Sequence, residues 1–349
     1  MEMSAEKKEM VELLLRPAIW VKDGIIRYQN AAAAHLLLAE GQPIAPLLLS
    51  GQEEYAQFSD GCLHLRLNIS GQAIGATVIH QAEGHLFLPE TQPSYTQFQN
   101  YSLTAMQLRE PLAGLMAAHE LILPGADPKY AAQANRRIHQ LLRIISNMSD
   151  VRRYADPAAC RPEYTEVCGF LEEILEKAEM LMEQAGIRLQ RQIPRESIYT
   201  LLDREQLERS VYNLLSNAGK FGQPAEAVLV QLSRKGQKLH LSVVNSGVSP
   251  AASRFYQGFL REPALEDPTN GMGLGMLLVK STAANHGGAV LIDHPGNQNT
   301  RITMTLAIRQ GRGDTVRSPI LGFDYAGDRD HGLLELVDVL PAGSYAIQK

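Results

Sequence analysis

Residues 270–280 read Asn-Gly-Met-Gly-Leu-Gly-Met-Leu-Leu-Val-Lys, and this stretch decides how the whole chain is interpreted. Three glycines alternate at Gly271, Gly273 and Gly275, and an apolar run that favours helix follows them. Glycine lets the backbone approach a ligand closely. The first N–H groups of the helix that follows point toward the glycines, and so does the positive end of the helix dipole. The pattern predicts a phosphate-binding loop. A glycine-rich loop without a ligand is the alternative.

The composition is that of a multidomain globular protein. Its 349 residues suit two or three domains, and 45% hydrophobic with 20% charged residues is enough to build buried cores. A net charge of −5 without a long basic run argues against sequence-independent nucleic-acid binding. No run approaches the roughly 20 apolar residues of a membrane helix, and the mixed-charge N-terminus lacks the apolar core of a signal peptide. We therefore expect a cytoplasmic protein.

Its three cysteines fit no metal or disulfide spacing and are expected to be reduced thiols: Cys62, Cys160 and Cys168.

Residues 1 to about 92 predict a small α/β domain. A short helix over Met10–Leu15 precedes two β-rich runs that meet at Asp23-Gly24, a hairpin signal, and a helical segment covers Ala31–Glu40. Three further strand-like runs follow, over residues 63–69, 73–80 and 85–88. This order, with the opening Asp-Gly-Ile-Ile-Arg-Tyr-Gln-Asn at residues 23–30, resembles a PAS sensor domain. Another small α/β domain used for dimerisation is the alternative, and no His or Cys here is placed to bind haem or flavin.

From about residue 94 to residue 154 the apolar period becomes helical. Two segments joined by the turn-rich residues 123–128 predict an antiparallel helical hairpin. Pairing with a second copy would bury the apolar seams in a four-helix bundle. We therefore predict a homodimer, with an intramolecular cover for the seams as the alternative. The seam residues are Ala105, Leu108, Leu112, Leu115, His119 and Ile122 in the first helix, and Ile138, Leu141, Ile145 and Met148 in the second.

A further α/β block follows residue 157. Its helix over residues 204–221 carries Asn213, Asn217 and Lys220 on one face, because these residues are four and three positions apart. Amide oxygens can hold Mg²⁺ and its waters, and a lysine can meet phosphate. Simple solvation of a polar helix face is the alternative. The other predicted elements are helices over 167–185 and from the glycine stretch to residue 286, and strands over 187–193, 228–233, 238–245, 289–293 and 301–308.

Five motifs in this block resemble, in order and spacing, those of a histidine-kinase ATPase domain. They are Asn213-Leu-Leu-Ser-Asn-Ala-Gly-Lys-Phe221, Asn245-Ser-Gly247, Phe259-Leu-Arg261, Gly271-Met-Gly-Leu-Gly275 and His286-Gly-Gly288. The resemblance covers about residues 160–310 and implies a Bergerat-type α/β sandwich with ATP, Mg²⁺ and a mobile lid over residues 248–270. It implies metal contacts from Asn213 and Asn217. It implies nucleotide contacts from Lys220, Asn245, Gly247, Gly271, Gly273, Leu274, Gly275 and Thr300.

Two positions of this block depart from the family pattern. Asn245 stands where the family has its adenine-reading aspartate, and an amide can still both accept from and donate to adenine. Ser249 stands at the second glycine of the Asn245-Ser-Gly247 motif, which makes that turn stiffer.

The first helix of the hairpin resembles the family's phosphoacceptor segment, with three chemical positions changed. Residues 106–112 read Met-Gln-Leu-Arg-Glu-Pro-Leu where the family has His, an acid, Leu, Arg, Thr or Asn, Pro and Leu. Met106 cannot accept a phosphoryl group through its thioether, and Gln107 cannot act as a base. The carboxylate of Glu110, at the position linked to phosphatase activity, would repel a phospho-aspartate.

No other histidine is an evident replacement. His119 lies about 140° around the helix from Met106 and on the order of 20 Å along it, and it falls on the seam. We expect a core or interface role for His119 and a surface position for His139, and His286 belongs to the motif of the ATPase domain. In the tail, a solvated loop is favoured over a metal site formed by Asp324, Asp328, Asp330 and His331.

The sequence thus predicts a multidomain α+β protein. A PAS-like domain over 1–92, a degenerate dimerisation hairpin over 93–156 and an ATPase domain over 157–310 precede a C-terminal extension over 311–349. The resemblance implies a signalling protein that binds Mg-ATP, dimerises and addresses a response regulator or another signalling protein. Two alternatives remain: an active kinase with a non-standard phosphoacceptor, and a dimeric adaptor that binds no nucleotide.

Overall fold

The computed structural model describes residues 5–90, 95–223, 226–247, 274–295, 299–310 and 330–346. The N-terminal region forms an antiparallel sheet in the order β2-β1-β5-β4-β3. The hairpin at Asp23-Gly24 is confirmed, because both residues adopt positive φ angles of 53° and 72°. The helix expected over residues 31–40 is a shorter 3-10 helix, Ala31–Leu36, and Leu37 ends it in the left-handed region. The elements are α1 (Ala5–Glu12), β1 (Ile19–Lys22), β2 (Ile25–Gln29), α2 (Gln52–Ala56), β3 (Cys62–Ile69), β4 (Gln72–Gln81) and β5 (Gly84–Pro89).

The predicted helical hairpin consists of α3 (Tyr95–Ile122) and α4 (Pro128–Ala155). Asp127 caps α4 by accepting a hydrogen bond from the backbone N–H of Lys129 at 2.8 Å. The apolar seams divide into two groups. The first group packs inside the chain against Leu274 and Leu278 and consists of Ala105, Leu112, Ile138, Ile145 and Met148. Part of the seam is therefore covered within the chain itself. The other group is exposed: Leu108, Leu115, Ile122 and Leu141.

The region over residues 157–310, which resembles an ATPase domain in sequence and which we call the ATPase block, is a layer of helices on one face of a sheet. Helices α5, α6 and α7 bury their apolar faces on strands β9, β10 and β12 in one continuous core. The order of predicted elements is correct, and two short strands that pair with each other, β6 and β8, were not predicted. The elements are β6 (Glu163–Glu166), α5 (Val167–Glu183), β7 (Leu189–Gln192), β8 (Tyr199–Leu202), α6 (Arg204–Phe221), β9 (Val228–Lys235), β10 (Lys238–Ser246), α7 (Leu274–Asn285), β11 (Val290–Asp293) and β12 (Asn299–Ala307).

The N-terminal region and the ATPase block share one sheet. Strand β3 pairs antiparallel with β11, and the order of the ten strands is β2-β1-β5-β4-β3-β11-β12-β10-β9-β7. Gly61 makes the approach possible: its φ is +78°, and a Cβ there would lie 2.3 Å from the carbonyl oxygen of Ile292. A buried ion pair between Glu54 on α2 and Lys238 on β10 joins the same two regions at 2.9 Å. We call this contact the sheet junction.

Residues 330–346, which we call the C-terminal segment, pack between the hairpin and α6. The segment contains the helix α8 (His331–Glu335) and a 3-10 helix, Ala342–Tyr345. Its apolar residues Leu334, Leu336, Val337, Leu340 and Tyr345 are buried. The run over residues 333–340 thus covers surfaces of both the ATPase block and the hairpin. No helix in the described ranges combines the length and the apolarity needed to cross a membrane.

Candidate nucleotide site

Helix α6 is the element on which the predicted site is built. Asp203 caps it by accepting from the N–H of Gln206 at 3.0 Å, and the helix ends at Phe221. Its apolar side lies on the sheet and is buried, as the sequence pattern predicts: Val211, Leu214, Leu215 and Ala218. The three polar residues Asn213, Asn217 and Lys220 therefore face away from the sheet.

Asn213 lies in the centre of the site and is 2% exposed. Its Oδ1 accepts a hydrogen bond from Nη2 of Arg143 at 3.2 Å. Its Nδ2 donates to the carbonyl oxygen of Arg209 at 2.8 Å and to Oε2 of Glu335 at 3.5 Å. Gly275, in the first turn of α7, comes so close that a Cβ would lie 2.2 Å from this Oδ1. The structure therefore brings the third glycine of the sequence stretch directly onto the first asparagine of α6.

Asn217 and Lys220 continue this side of α6 toward its end. Nδ2 of Asn217 lies 3.7 Å from the sulfur of Met276 on α7, and Asn217 is half-buried. Nζ of Lys220 forms an ion pair with Asp338 of the C-terminal segment. Gly271, Gly273, Phe259–Arg261, Ser249 and the predicted lid over 248–270 lie outside the described residues.

Asn245, predicted to read adenine, and the predicted nucleotide contacts Gly247 and Thr300 meet at the C-terminal end of α6. Asn245 and Thr300 are direct cross-strand partners on β10 and β12, and both are buried. Oγ1 of Thr300 donates to the carbonyl oxygen of Gly247 at 2.9 Å. Gly247 has a φ of +114°, and a Cβ there would lie 2.6 Å from the carbonyl oxygen of Phe221. The described candidate residues, distant in sequence, thus surround one helix.

The His286-Gly-Gly288 motif has a structural role. Nε2 of His286 accepts the backbone N–H of Asp203 at 2.8 Å, so Nδ1 carries the proton and donates to the carbonyl oxygen of Thr282 at 2.7 Å. Burial lowers the pKa of His286, and the neutral ring satisfies both contacts. Gly288 admits no side chain, because a Cβ would lie 1.8 Å from the carbonyl oxygen of Thr305.

A buried ion network beside Asn213 was missed by the sequence analysis. Glu335 accepts from Nε of Arg209 at 2.9 Å and from Nε of Arg143 at 3.2 Å, and Arg143 Nη1 reaches Asp338 at 2.6 Å. Asp150 on α4 also pairs with Arg209. The sequence does contain a signal for this network, because Glu335 and Asp338 are acids inside an apolar run. Carboxylates that are buried with such a run need cationic partners.

The pKa values of two network members reflect these contacts. Burial alone lowers the pKa of Arg209, but the negative charges of the carboxylates Glu335 and Asp150 outweigh burial, and the pKa lies above its ordinary value. Burial alone raises the pKa of Asp338, but Arg143 and Lys220 outweigh it, and the pKa lies below its ordinary value. Both groups are therefore charged at neutral pH.

On the hairpin, Met106 is 62% exposed, and Gln107 and Glu110 are exposed too. His119 is half-buried, and its Nε2 lies 2.8 Å from Oδ1 of Asn135 across the hairpin. The surface position expected for His139 is wrong: this residue is half-buried, and its ring centroid lies 4.9 Å from that of Tyr345 in the C-terminal segment.

The remaining sequence candidates have structural contacts. Asp330 caps α8 and pairs with Lys177 at 3.0 Å, and His331 Nδ1 lies 3.4 Å from Oε2 of Glu208. Asp324 and Asp328 lie outside the described residues. Across the described ranges, no group of three or more His, Cys, Asp and Glu side chains is placed to hold a metal ion. The three cysteines are free thiols, and burial raises the pKa of Cys62 to about 11.

Residues 202–310 match the family model described as histidine kinase-, DNA gyrase B- and HSP90-like ATPase. Among curated relatives, the sensor histidine kinase WalK of Bacillus subtilis is 22% identical over 221 residues, which are 60% of this chain and 36% of that protein. The adaptive-response sensory kinase SasA of Parasynechococcus marenigrum is 24% identical over 225 residues, 63% of this chain and 59% of that protein. The sensor-like histidine kinase SenX3 of Mycobacterium bovis is 25% identical over 214 residues, 58% of this chain and 51% of that protein.

The chain thus spans between about a third and three fifths of the length of these relatives. Among solved structures, full-length ShkA in complex with AMPPNP has a TM-score of 0.47 and 22% identity, and the match covers 61% of this chain and 46% of that chain. The mycobacterial sensor histidine kinase MprB has a TM-score of 0.35 and 23% identity, over 43% of this chain and 100% of that chain.

Proposed function

We propose that this chain, which its ATPase region and its sensor histidine kinase relatives together place in the histidine kinase family, is a histidine-kinase-like signalling protein that binds Mg-ATP and lacks ordinary histidine autophosphorylation. The observation that carries the nucleotide proposal is the contact between Gly275 and Asn213. An alanine at position 275 would collide with the amide oxygen of Asn213. Glycine thus keeps the start of α7, with its free N–H groups, against an oxygen ligand on α6.

The residues present have the chemistry that Mg-ATP requires. The amide oxygens of Asn213 and Asn217 are hard ligands suited to Mg²⁺, and Lys220 and the first N–H groups of α7 are suited to phosphate. Asn245 and Thr300, beside the C-terminal end of α6, offer an amide and a hydroxyl to the base. When bound, ATP would supply a transferable phosphoryl group. The residues of this chain would bind and orient the nucleotide.

The hairpin supports a role without ordinary phosphotransfer to histidine. Met106 is exposed at the position that resembles the phosphoacceptor, and its thioether cannot be phosphorylated. His119 is held by Asn135 across the hairpin. Signalling would then depend on conformation, which requires the nucleotide to bind two states of the protein with different affinities.

An exposed apolar strip on the hairpin supports a homodimer. Leu108, Leu115 and Ile122 lie seven residues apart on α3 and are exposed. Leu115→Lys, on the strip, should convert the dimer into a monomer in sedimentation equilibrium, because a charge in a bundle core is costly. Ala117→Lys is the matched control: it introduces the same charge on the opposite side of α3 and should leave the dimer intact. A monomeric wild type, or equal loss in both variants, contradicts the strip as the interface.

The N-terminal region is proposed to be the sensor. Its strand order β2-β1-β5-β4-β3 supports the PAS-like interpretation, and the shared sheet provides a route from this region to the ATPase domain. A response regulator or another signalling protein that contacts the hairpin would be the downstream partner.

Calorimetric titration with ATP and Mg²⁺ tests nucleotide binding. The wild type should bind, and Asn217→Ala should bind at least about tenfold more weakly, because one metal ligand is lost. Asn217 is a suitable site, since it is half-buried and its contact with Met276 is weak. Asn68→Ala, an exposed asparagine on β3, is the matched control and should bind as the wild type does. No binding, or binding unaffected by Asn217→Ala, contradicts the proposal and favours a nucleotide-free adaptor.

Incubation of the same samples with γ-labelled ATP tests phosphotransfer. The wild type should acquire no acid-labile label. Label on the wild type that is lost in His119→Ala would overturn the proposal in favour of a kinase with a non-standard phosphoacceptor.

A further inference from the structure

We infer that the C-terminal segment, residues 330–346, is an internal competitor of the nucleotide: its two carboxylates hold the metal and phosphate side of the site closed, and the segment must leave before Mg-ATP binds. This inference rests on the nucleotide binding proposed above and names how that site is regulated. The segment touches the predicted site through Glu335 and Asp338, and it touches the hairpin through Tyr345 and the backbone of Val337.

The first argument is the charge pattern. Arg143, Arg209 and Lys220 bring three cationic groups to one side of α6, and such a group of cations is suited to the negative charges of a polyphosphate. In this structure Glu335 and Asp338 form ion pairs with all three, and Asp150 on α4 also pairs with Arg209. The side chain of Glu335 is 2% exposed, so its charge is removed from solvent together with its partners. Carboxylates of the chain itself thus make the contacts that phosphate oxygens would make.

The second argument concerns the metal side. Oδ1 of Asn213, the oxygen predicted to bind Mg²⁺, accepts a hydrogen bond from the guanidinium of Arg143. A cation held on that oxygen repels a second cation, and a metal would need the same lone pairs. Arg143 is kept there by Glu335 at 3.2 Å and by Asp338 at 2.6 Å. When the two carboxylates leave, Lys220 loses its ion pair, and Arg143 loses the contacts that keep it on Asn213. Asn213 and Lys220 then become available in one step.

The third argument links the site to the hairpin. Arg143 belongs to α4, and the C-terminal segment follows α4 over two turns: Asn135 donates to the carbonyl oxygen of Tyr345 at 3.1 Å, and Arg136 donates to that of Val337 at 3.2 Å. Departure of the segment would remove contacts along α4. Occupancy of the nucleotide site and the state of the hairpin are then coupled, and the coupling acts equally in both directions.

The binding test compares the whole 349-residue chain with its Asp338→Asn variant. The variant keeps the size of the side chain and removes the ion pairs with Lys220 and Arg143, and the side chain of Asp338 is 27% exposed, so the fold should tolerate it. In calorimetry, Asp338→Asn should bind Mg-ATP about fivefold more tightly than the wild type. Glu205→Gln is the matched control: it removes an ion pair between α6 and Arg153 of the hairpin without touching Asn213 or Lys220, and its affinity should be unchanged.

The second readout is hydrogen exchange. Adding Mg-ATP to the wild type should increase exchange of the amides in residues 330–346 and leave those of β3 unchanged. Binding of equal strength in the wild type and Asp338→Asn, with no change of exchange in the segment, overturns the internal competitor while the proposed function stands. Tighter binding in Glu205→Gln as well would reduce the effect to general loosening of α4 and also overturn it. Absence of binding in every variant overturns the nucleotide proposal and this inference together.

Discussion

The ATPase block contacts its neighbours through two junctions of opposite construction. At the sheet junction, β3 and β11 are joined by backbone hydrogen bonds, and Gly61 permits the close approach. At the interface of the C-terminal segment, the polar contacts come mainly from side chains of Arg143, Arg209 and Lys220. A backbone ladder that continues a sheet separates only with loss of the sheet order, whereas ion pairs can exchange one anionic partner for another. The difference suggests that the first junction is a fixed connection and the second is a switch.

The largest expected effect is at the ion pair of the sheet junction. Glu54→Ala should lower the free energy of unfolding by about 3 kcal/mol, because Lys238 is left buried without its carboxylate. Urea denaturation monitored by circular dichroism measures the change. The double variant Glu54→Leu/Lys238→Met is the control and should recover most of the loss, since well-packed apolar residues replace a buried pair at little cost. A loss below about 1 kcal/mol for Glu54→Ala would contradict a fixed connection through this pair.

A smaller loss should follow from Gly61→Ala. A Cβ at Gly61 would collide with the carbonyl oxygen of Ile292, so β3 must shift away from β11, and we expect a loss of about 2 kcal/mol. Gly71→Ala separates strain from collision. Gly71 has a φ of +82°, similar to that of Gly61, but a Cβ at Gly71 would meet nothing within 4 Å. The loss in free energy of unfolding should therefore be about 1 kcal/mol. Equal losses in the two variants would mean that the close approach at Gly61 contributes nothing.

Acid should affect the two junctions at different pH. His64 lies on β3 opposite Val290 of β11, and burial, with a smaller effect of Lys280, lowers its pKa well below 6.5. The unfolded chain therefore binds a proton that the folded chain excludes, and the stabilisation present above pH 6.5 decreases as the pH falls below that value. The pKa of Asp338 is also lowered, but from 3.8, so its contribution is complete above that value and is lost only at lower pH.

Between about pH 6 and pH 4.5 the sheet junction should thus weaken while the C-terminal segment stays paired. The free energy of unfolding, measured by urea denaturation across this range, should fall with decreasing pH. His64→Gln should reduce the slope, because the group that binds the extra proton on unfolding is removed. A slope unchanged by this variant would place the titration elsewhere, for example at His286, which burial also holds neutral.

The sequence predicted local elements better than it predicted these junctions. The hairpin at Asp23-Gly24, the bounds of α6 and its division into polar and apolar sides follow from turn chemistry and helical period, which depend on neighbours in sequence. The β3–β11 pairing joins residues more than 200 positions apart, and nothing in the period of either strand names its partner. The site shows the same limit. The polar residues of α6 were identified from the motifs, but Arg143 and Glu335 reach Asn213 only through tertiary packing.

The smallest effect concerns the opening of the C-terminal segment in the absence of nucleotide. Asp338→Asn should speed hydrogen exchange in residues 330–346 by about fivefold, because loss of one partly exposed charge contact costs about 1 kcal/mol. The amides of β3 should exchange at the wild-type rate, since their exchange requires opening of the sheet. Gln140→Ala is the control for a weaker contact with the same carboxylate. Gln140 makes only a 3.4 Å contact with Asp338, so its removal should change hydrogen exchange in the segment less than twofold. If Asp338→Asn accelerated exchange in β3 as strongly as in the segment, the two junctions would open together, and the separation of a fixed connection from a switch would be wrong.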